Sequence, residues 1–393
     1  MYYQRKIEKE LKKELESEKI IVLTGMRRTG KTCLAKHIFD SIKSLNKAYL
    51  DLENPLNRKI FEEDNYDNIW KNLLPLGISY DKKCYIFLDE VQNMKNIPSV
   101  VKYLFDHYNV NFFLTGSSSY YLKNLFSESM SGRKFIFEIY PLDFEEYLWF
   151  CEKKKEFPSK LQDKEKSKNK VAYELYKKDY EQYLEYGGFP AVVLERDIDR
   201  KKKELNDIFT SYFELDVKTL SDFRNMNKFR DLIILLSARS GSKLEISKLS
   251  RELQISRETV YSYLAFLEHT YFIFLIDPFS KNSDREVSGA KKVYLCDTGM
   301  IKILGGADAG SIFENSVFAN LKKYGAINYY QRRTGAEIDF IIDKKIALEA
   351  KNRGGRFDVN KTKKIADGLG LKTAFVASKE YSEGQGIISA MDL

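Results

Sequence analysis

Residues 20–32, IIVLTGMRRTGKT, decide the fold. Ile20 to Leu23 are apolar without alternation, the mark of a parallel strand buried on both faces. The run passes into G-x-x-x-x-G-K-[ST], a phosphate-binding pattern. Gly25 and Gly30 let the backbone turn its N–H groups toward a polyphosphate. The following KTCLAKHIFDSI supplies a helix N-terminus whose dipole favours an anion. Gly25, Met26, Arg27, Arg28, Thr29, Gly30, Lys31, Thr32 and Cys33 are therefore read as the nucleotide cradle. Lys31 is assigned to the β- and γ-phosphates and the Thr32 hydroxyl to Mg²⁺, an ion that keeps most of its waters and takes few protein ligands. ATP and Mg²⁺ are the expected cofactors. A chance match on an ordinary loop would not need strand, loop and helix in this order.

Length and composition bound the rest. A chain of 393 residues exceeds one ordinary domain. Its 43% apolar content, with 26 Tyr and 26 Phe, is that of packed cores and excludes a mainly disordered chain. The net charge of +8 suits a polyanionic partner such as double-stranded DNA, although spread over this length it also serves solubility alone. Cys33, Cys84, Cys151 and Cys296 form no C-x-x-C pair, and His37, His107 and His269 show no zinc spacing, as in a reducing cytosol. The N-terminus MYYQRKIEKELKKELE is charged throughout rather than signal-like, and no apolar run reaches a membrane span. The expectation is a soluble, cytoplasmic protein with no membrane partner.

Along the chain, Ile7, Leu11 and Leu15 mark an amphipathic helix, and KAYLDLENP (47–55) a strand halted by Asn54 and Pro55. In CYIFLDE a second unbroken apolar run puts Asp89 and Glu90 at the carboxyl end of a strand, where open α/β sheets bind ligands. This is the Walker B pattern: Asp89 orders the magnesium waters and Glu90 orients or deprotonates the attacking water. A charged strand end facing solvent is the plain alternative. NFFLTGSSS (111–119) ends in hydroxyls, of which Ser117, or else Thr115, would contact the γ-phosphate or the water; helix capping would use the same residues. A fifth strand is expected at Lys134 to Ile139. Arg133, just before it, would suit a neighbour's nucleotide as an arginine finger in a homo-oligomer, or be a surface cation beside a turn glycine.

GMRRTGKT, YIFLDEVQN, FFLTGSSS and SGRKFIFEIYPLDFEEYL, followed by YGGFPAVV at 186–193, resemble a widespread prokaryotic family of AAA-type ATPases with a C-terminal domain of unknown function. The resemblance covers nearly the whole chain. It implies a sheet with an additional strand between those bearing the two Walker motifs.

After a lysine- and glutamate-rich run at 151–170, read as a solvated helix or loop, helical periodicity returns in VAYELYKKDYEQYLEY and continues to YFELDV. Residues 226–282 then give a helix, ISKLSREL, a turn at Gln254 to Ser256, RETVYSYLAFLEHT and an apolar strand, the pattern of a winged helix-turn-helix. Ser256 would cap its second helix, and Arg257, Thr259, Tyr261 and Ser262 would face a DNA major groove. A protein-packing module would use the same pattern.

In GAEIDFIIDKKIALEAKNR a hairpin pairing Ile342 with Ile346 also matches Phe340 with Leu348 and Ile338 with Ala350, so the hydrophobic face sets the register. The other face then opposes Asp339 to Glu349 and Glu337 to Lys351. Two carboxylates aimed at one point repel unless a cation or proton is bound. D-x9-E-x-K resembles the PD-(D/E)XK nuclease superfamily, with Ile338 in place of the proline. The resemblance implies Mg²⁺ held by Asp339 and Glu349, Lys351 as the residue that helps activate water, and Glu314 as the additional helix-borne acid. A surface charge ladder or an inactive nuclease fold is the alternative.

The expected fold class is α/β: a P-loop AAA-type ATPase domain with a parallel sheet (1–150), a helical lid or connector (151–225), a winged helix-turn-helix (226–285) and an α/β restriction-endonuclease-like domain (286–393). The leading function is an ATPase whose nucleotide state gates a DNA-binding C-terminal region with a nuclease-like site. The competing one is a nucleotide-dependent switch with a catalytically inactive C-terminal domain.

Overall fold

Ile20–Thr24 forms β1, and all five residues are buried. The computed structural model describes residues 2–117, 132–218, 223, 225–280, 289–332 and 335–393. In this structure β1 belongs to a five-stranded sheet with β2 (Lys47–Asp51), β3 (Cys84–Asp89), β4 (Val110–Gly116) and β5 (Lys134–Glu138), ordered β2-β3-β4-β1-β5. Every pairing is parallel. The strand carrying the phosphate loop and the strand carrying Asp89 are thus separated by β4, as the resemblance implied. Both faces of the sheet are covered, which explains why β1 and β3 are apolar without alternation. Val22, Ile86 and Phe112 pack with Trp70 and Leu104 on one face, while Leu23, Phe87 and Phe113 pack with Leu11, Leu34 and Ile38 on the other. Truncating a side chain as enclosed as Phe113 to alanine would cost roughly 3–5 kcal/mol.

The chain divides into two units. The first comprises residues 1–140, 211–220 and 269–271, and the second residues 141–210, 221–268 and 272–393. The stretch expected as one connector is therefore split: 151–210 belongs with the C-terminal elements, and 211–220, including a π-helix over Tyr212–Val217, belongs with the phosphate-loop sheet. Within the first unit Tyr212 Oη lies 2.7 Å from Thr270 Oγ1, and Tyr271 Oη donates to Glu138 at 3.0 Å.

In the second unit, helices Met226–Ala238, Ile246–Leu253 and Arg257–His269 precede the antiparallel pair β6 (Ile273–Ile276) and β7 (Lys292–Leu295). Gln254 takes a left-handed conformation that ends the middle helix, and Ser256 accepts the Thr259 N–H at 3.1 Å. A mixed sheet follows in the order β12-β11-β10-β9-β8, from β8 (Ile327–Gln331), β9 (Glu337–Ile342), β10 (Ile346–Lys351), β11 (Thr373–Ser378) and β12 (Ile387–Ser389). The hairpin register is Ile342 with Ile346, Ile341 with Ala347 and Phe340 with Leu348.

Two local features depart from a plain reading of the sequence. The lysine-rich 151–170 run is not simply solvated: Lys164 is buried and donates to the Asp392 carbonyl, Lys155 pairs with the Asp392 carboxylate, and Glu165 accepts the Gly386 N–H at 2.7 Å. In the YGGFP turn, Gly187 has φ 75° and an added Cβ would fall 1.9 Å from Asp297 Oδ1. Glycine is required there because Asp297 accepts the N–H groups of Gly188 at 2.7 Å and Gly299 at 2.8 Å.

Candidate functional site

The phosphate loop joins β1 to the helix Lys31–Ser41, with Gly30 left-handed at its N-terminus. Gly25 lies so close to Ile139 that a Cβ would meet its carbonyl oxygen at 2.0 Å. Inside the loop, Lys31 is buried and donates to the carbonyls of Gly25 at 2.8 Å and Met26 at 3.0 Å, while the Thr29 hydroxyl donates to Met26 at 2.8 Å. Burial lowers the Lys31 pKa, against the pull of Glu90 and Asp216. The ammonium thus rests on neutral oxygens that a phosphate could replace. Arg28 and Cys33 of the expected cradle are exposed.

The carboxyl ends of β3 and β4 bring the acids to this loop. Asp89 is buried and receives three hydroxyls: Thr32 at 3.3 Å, Tyr49 at 2.6 Å, and Thr115. Thr115 in turn accepts the Glu90 N–H at 3.1 Å. Hydroxyl and carboxylate oxygens are the donors Mg²⁺ prefers, so Thr32 and Asp89 fit the ion's demands. Glu90 is left-handed and is contacted by Gln92, which reaches Ser117 Oγ at 3.2 Å. Ser117 therefore stands on the same polar chain as Glu90, while Ser118 and Ser119 lie outside the described residues.

Three contributors escaped the sequence reading. Arg5 donates to the carbonyls of Thr29 and Tyr140 at 2.8 Å each, tying the N-terminus to the loop. Gln92 links Glu90 to Ser117. Asp216, buried and 189 positions from its partner, accepts Arg27 Nε at 2.9 Å and Ser117 Oγ at 3.0 Å. Burial raises the Asp216 carboxyl pKa despite Arg27, and Arg27 is itself raised because Asp216 and Glu90 outweigh its own burial. Gln92 carried the available signal, two residues after the acid pair; Asp216 had no local motif.

Arg133 precedes β5, whose strand runs parallel to β1, so it sits by the start of these strands rather than at the carboxyl ends that carry the loop and acids. It is paired with Asp106 at 2.8 Å. On the helix Arg257–His269, Arg257, Tyr261 and Ser262 are exposed and Thr259 is half-buried. Residues 243–262 carry four Lys or Arg and three Glu, a weakly basic balance.

The C-terminal acids meet, but with a partner the sequence did not announce. The sequence expectation put a divalent ion among Glu314, Asp339 and Glu349; the structure puts the buried Lys292 ammonium among acids there, 3.1 Å from Glu337, 3.5 Å from Glu314 and 3.8 Å from Asp339. Glu314 also accepts the Tyr294 hydroxyl at 2.6 Å. Lys351 binds Glu349 of its own strand at 2.8 Å, and Asp339 accepts the Ala350 N–H at 2.9 Å. Burial, then Asp339, pushes Glu314 and Glu349 each up to about 7, and burial raises Asp339. Lys292 is held above its ordinary value by Glu314, Asp339 and Glu337 against the effect of burial. Glu349 Oε2 is buried and has no hydrogen-bond partner among the described residues. Among the described residues no group of three or more His, Cys, Asp or Glu is placed to hold a metal ion. As arranged, these acids do not fit one beside an ammonium.

Comparison with known proteins bears on the N-terminal part of the chain as a domain. Residues 17–148 match the family model of an AAA domain. The chain is 31% identical over 351 residues, 86% of its length and 75% of the other's, to the uncharacterised protein MJ1544 of Methanocaldococcus jannaschii. It belongs to that protein's family. Its N-terminal part is a P-loop AAA-type domain, and residues 177–311 match a domain of unknown function. An uncharacterised Haemophilus influenzae protein is 27% identical, covering 84% of this chain and 80% of its own. Among solved structures, the ADP form of Aeropyrum pernix ORC2 is similar at a TM-score of 0.38, with 14% identity, 77% of this chain and 93% of that one. No helix among the described residues is long and apolar enough to cross a membrane.

Proposed function

We propose that this AAA-type protein hydrolyses ATP with Mg²⁺ at the phosphate-loop site, and that its nucleotide state gates DNA binding by the C-terminal region. The observation that carries the reading is the convergence of Lys31, Thr32, Asp89 and Glu90 at the carboxyl ends of β1 and β3. Lys31 exchanges its loop carbonyls for phosphate oxygens. Mg²⁺, held through Thr32 and Asp89, would neutralise phosphate charge. Glu90 orients the attacking water, and the chain through Gln92 to Ser117 fixes Glu90's carboxylate near the reacting phosphate.

The helix Arg257–His269 presents Arg257, Tyr261 and Ser262 to solvent, which suits contact with a duplex. With only a weakly basic surround, few phosphates would be contacted, so binding should be modest and its salt dependence measurable but shallow. Arg257→Ala should weaken binding and reduce the slope of log affinity against log salt by about one if the contact is to phosphate. Fluorescence anisotropy with a labelled duplex, with and without ATP, tests this. An affinity indifferent to salt and nucleotide would remove both DNA contact and gating.

A specific observation favours a second reading of the C-terminus, as a nuclease-like module without cleavage. Lys292 neutralises the cluster from within, which favours the reading of a nucleotide-dependent switch whose C-terminal domain is catalytically inactive. Plasmid, single-stranded DNA and RNA remaining intact with Mg²⁺ or Mn²⁺, with and without ATP, is the expected result. Cleavage lost in Asp339→Asn would reject it.

A further inference from the structure

Among the described residues, Asp216 is the acid at the nucleotide site that comes from outside the sheet's own loops. It sits in the segment 211–220, whose ends continue in sequence into the second unit. Its carboxylate is bound by Arg27 of the phosphate loop at 2.9 Å and by the Ser117 hydroxyl at the end of β4 at 3.0 Å. Both donors are of the kind that meets a terminal phosphate: one is a loop cation, the other the hydroxyl that follows the strand between the two Walker strands. Glu53 lies 3.9 Å from the same Arg27 but is mostly exposed, whereas Asp216 is enclosed. The surroundings already hold Asp89 and Glu90, so each further negative charge raises the cost of keeping Asp216 ionised in place.

We propose that Asp216 and the γ-phosphate of ATP compete for Arg27 and Ser117, so that ATP releases the segment 211–218 and ADP leaves it bound. The proposal rests on the ATP-site reading and gives that site its regulation. ADP keeps the Lys31 and loop contacts without presenting a third phosphate to Arg27 and Ser117. ATP replaces one anion by another at those donors. The freed carboxylate then repels the phosphate, which moves Tyr212–Val217 away. Because the segment is flanked by helices Ile198–Ser211 and Met226–Ala238, its release is transmitted along the chain itself.

Binding of ADP and of the β,γ-methylene analogue of ATP, with Mg²⁺, to the full chain tests this. Asp216→Asn keeps the shape and removes the charge. It should tighten the ATP analogue about tenfold while changing ADP affinity less than about twofold. Equal changes for both nucleotides, or weaker binding of the analogue, would overturn the competition. Hydrogen exchange on the unaltered protein provides a check that needs no variant: peptides spanning 211–218 should exchange faster with the analogue than with ADP. Slower or unchanged exchange would likewise reject it. If the unaltered protein binds neither nucleotide, the ATP-site reading falls and this inference with it. If it binds both and the variant ratio is unmoved, only the inference falls.

Discussion

The nucleotide site and the Asp339 cluster use nearly the same side chains, lysines among buried carboxylates, but wire them differently. At the phosphate loop, neutral groups stand between opposite charges: Lys31 rests on two carbonyls, and Asp89 on the hydroxyls of Thr32, Tyr49 and Thr115. In the cluster, Lys292 and Lys351 contact acids directly. Charges separated by exchangeable neutral partners remain available to a charged ligand. Charges in contact already offset each other's desolvation, and removing one member leaves the rest exposed to the full penalty. On the reading proposed above, the difference suits the first region to a charged ligand and the second to an internal ion network. Arg27–Asp216 is the contact pair inside the first region, and that exception is what makes Asp216 suited to respond to nucleotide.

The largest effects should come from the separated charges. Lys31→Ala should abolish measurable nucleotide binding, whereas Glu90→Gln should keep nucleotide and slow turnover roughly 10²–10⁴-fold. Equilibrium binding together with single-turnover hydrolysis separates the two. Full turnover in both variants would erase the contrast, because the loop would then be as inert as the cluster.

Next in size is the removal of the internal cation. Lys292→Met should cost roughly 3–5 kcal/mol, since Glu314, Glu337 and Asp339 would lose their buried counter-charge. Measured in a Lys31→Ala background without nucleotide, Mn²⁺ should leave the parent's Tm unmoved. It should raise that of the Met variant, where a divalent ion can replace the ammonium. A Tm rise in the parent that Asp339→Asn abolishes would break the comparison and restore the cluster as a metal site.

The residues proposed for the first site lie together at the phosphate loop because they belong to short motifs at strand ends. The phosphate loop, Asp89 with Glu90, and Ser117 are each set by their own strand, and a parallel sheet gathers carboxyl ends to one side whatever lies between. The hairpin register at Ile342–Ile346 was legible because an apolar face allows few arrangements, whereas the extra strand between the two Walker strands was implied by the family resemblance and the full strand order was not legible. Asp216 and Lys292 were not legible. Each reaches its partners through tertiary packing across long separations, with no local pattern to mark it. The same holds for Lys155 and Lys164, whose burial against Asp392 cannot be told from a solvated charge run by composition. Strand register places residues opposite one another but does not decide which neighbour a long side chain chooses, so the Lys351–Glu349 contact was not legible either.

The smallest predicted effect distinguishes a proton from a metal as the cluster's last neutralising species. Glu349 is pushed up to about 7 by burial and then by Asp339, with Lys351 working against both. Its folded-state value lies above the ordinary carboxyl value of 4.5. Between those two pH values the folded protein binds more protons than the unfolded chain, so stability falls as pH rises through the window. The contribution is fully present below the unfolded value and lost above the folded one. Glu349→Gln cannot ionise, and should therefore escape this loss while retaining a side chain able to face Lys351. Relative to the parent it should gain on the order of 1–2 kcal/mol between pH 5 and pH 8, less than the whole displacement of Glu349 because a proton on Glu314 or Asp339 relieves the same repulsion. Chemical denaturation of both proteins across that range, in chelator, gives the difference directly. A constant offset would show that Glu349 keeps the same protonation folded and unfolded. An advantage for the parent that grows with pH would show the carboxylate to be stabilised as an anion by Lys351 and Lys292, with no proton needed to complete the network.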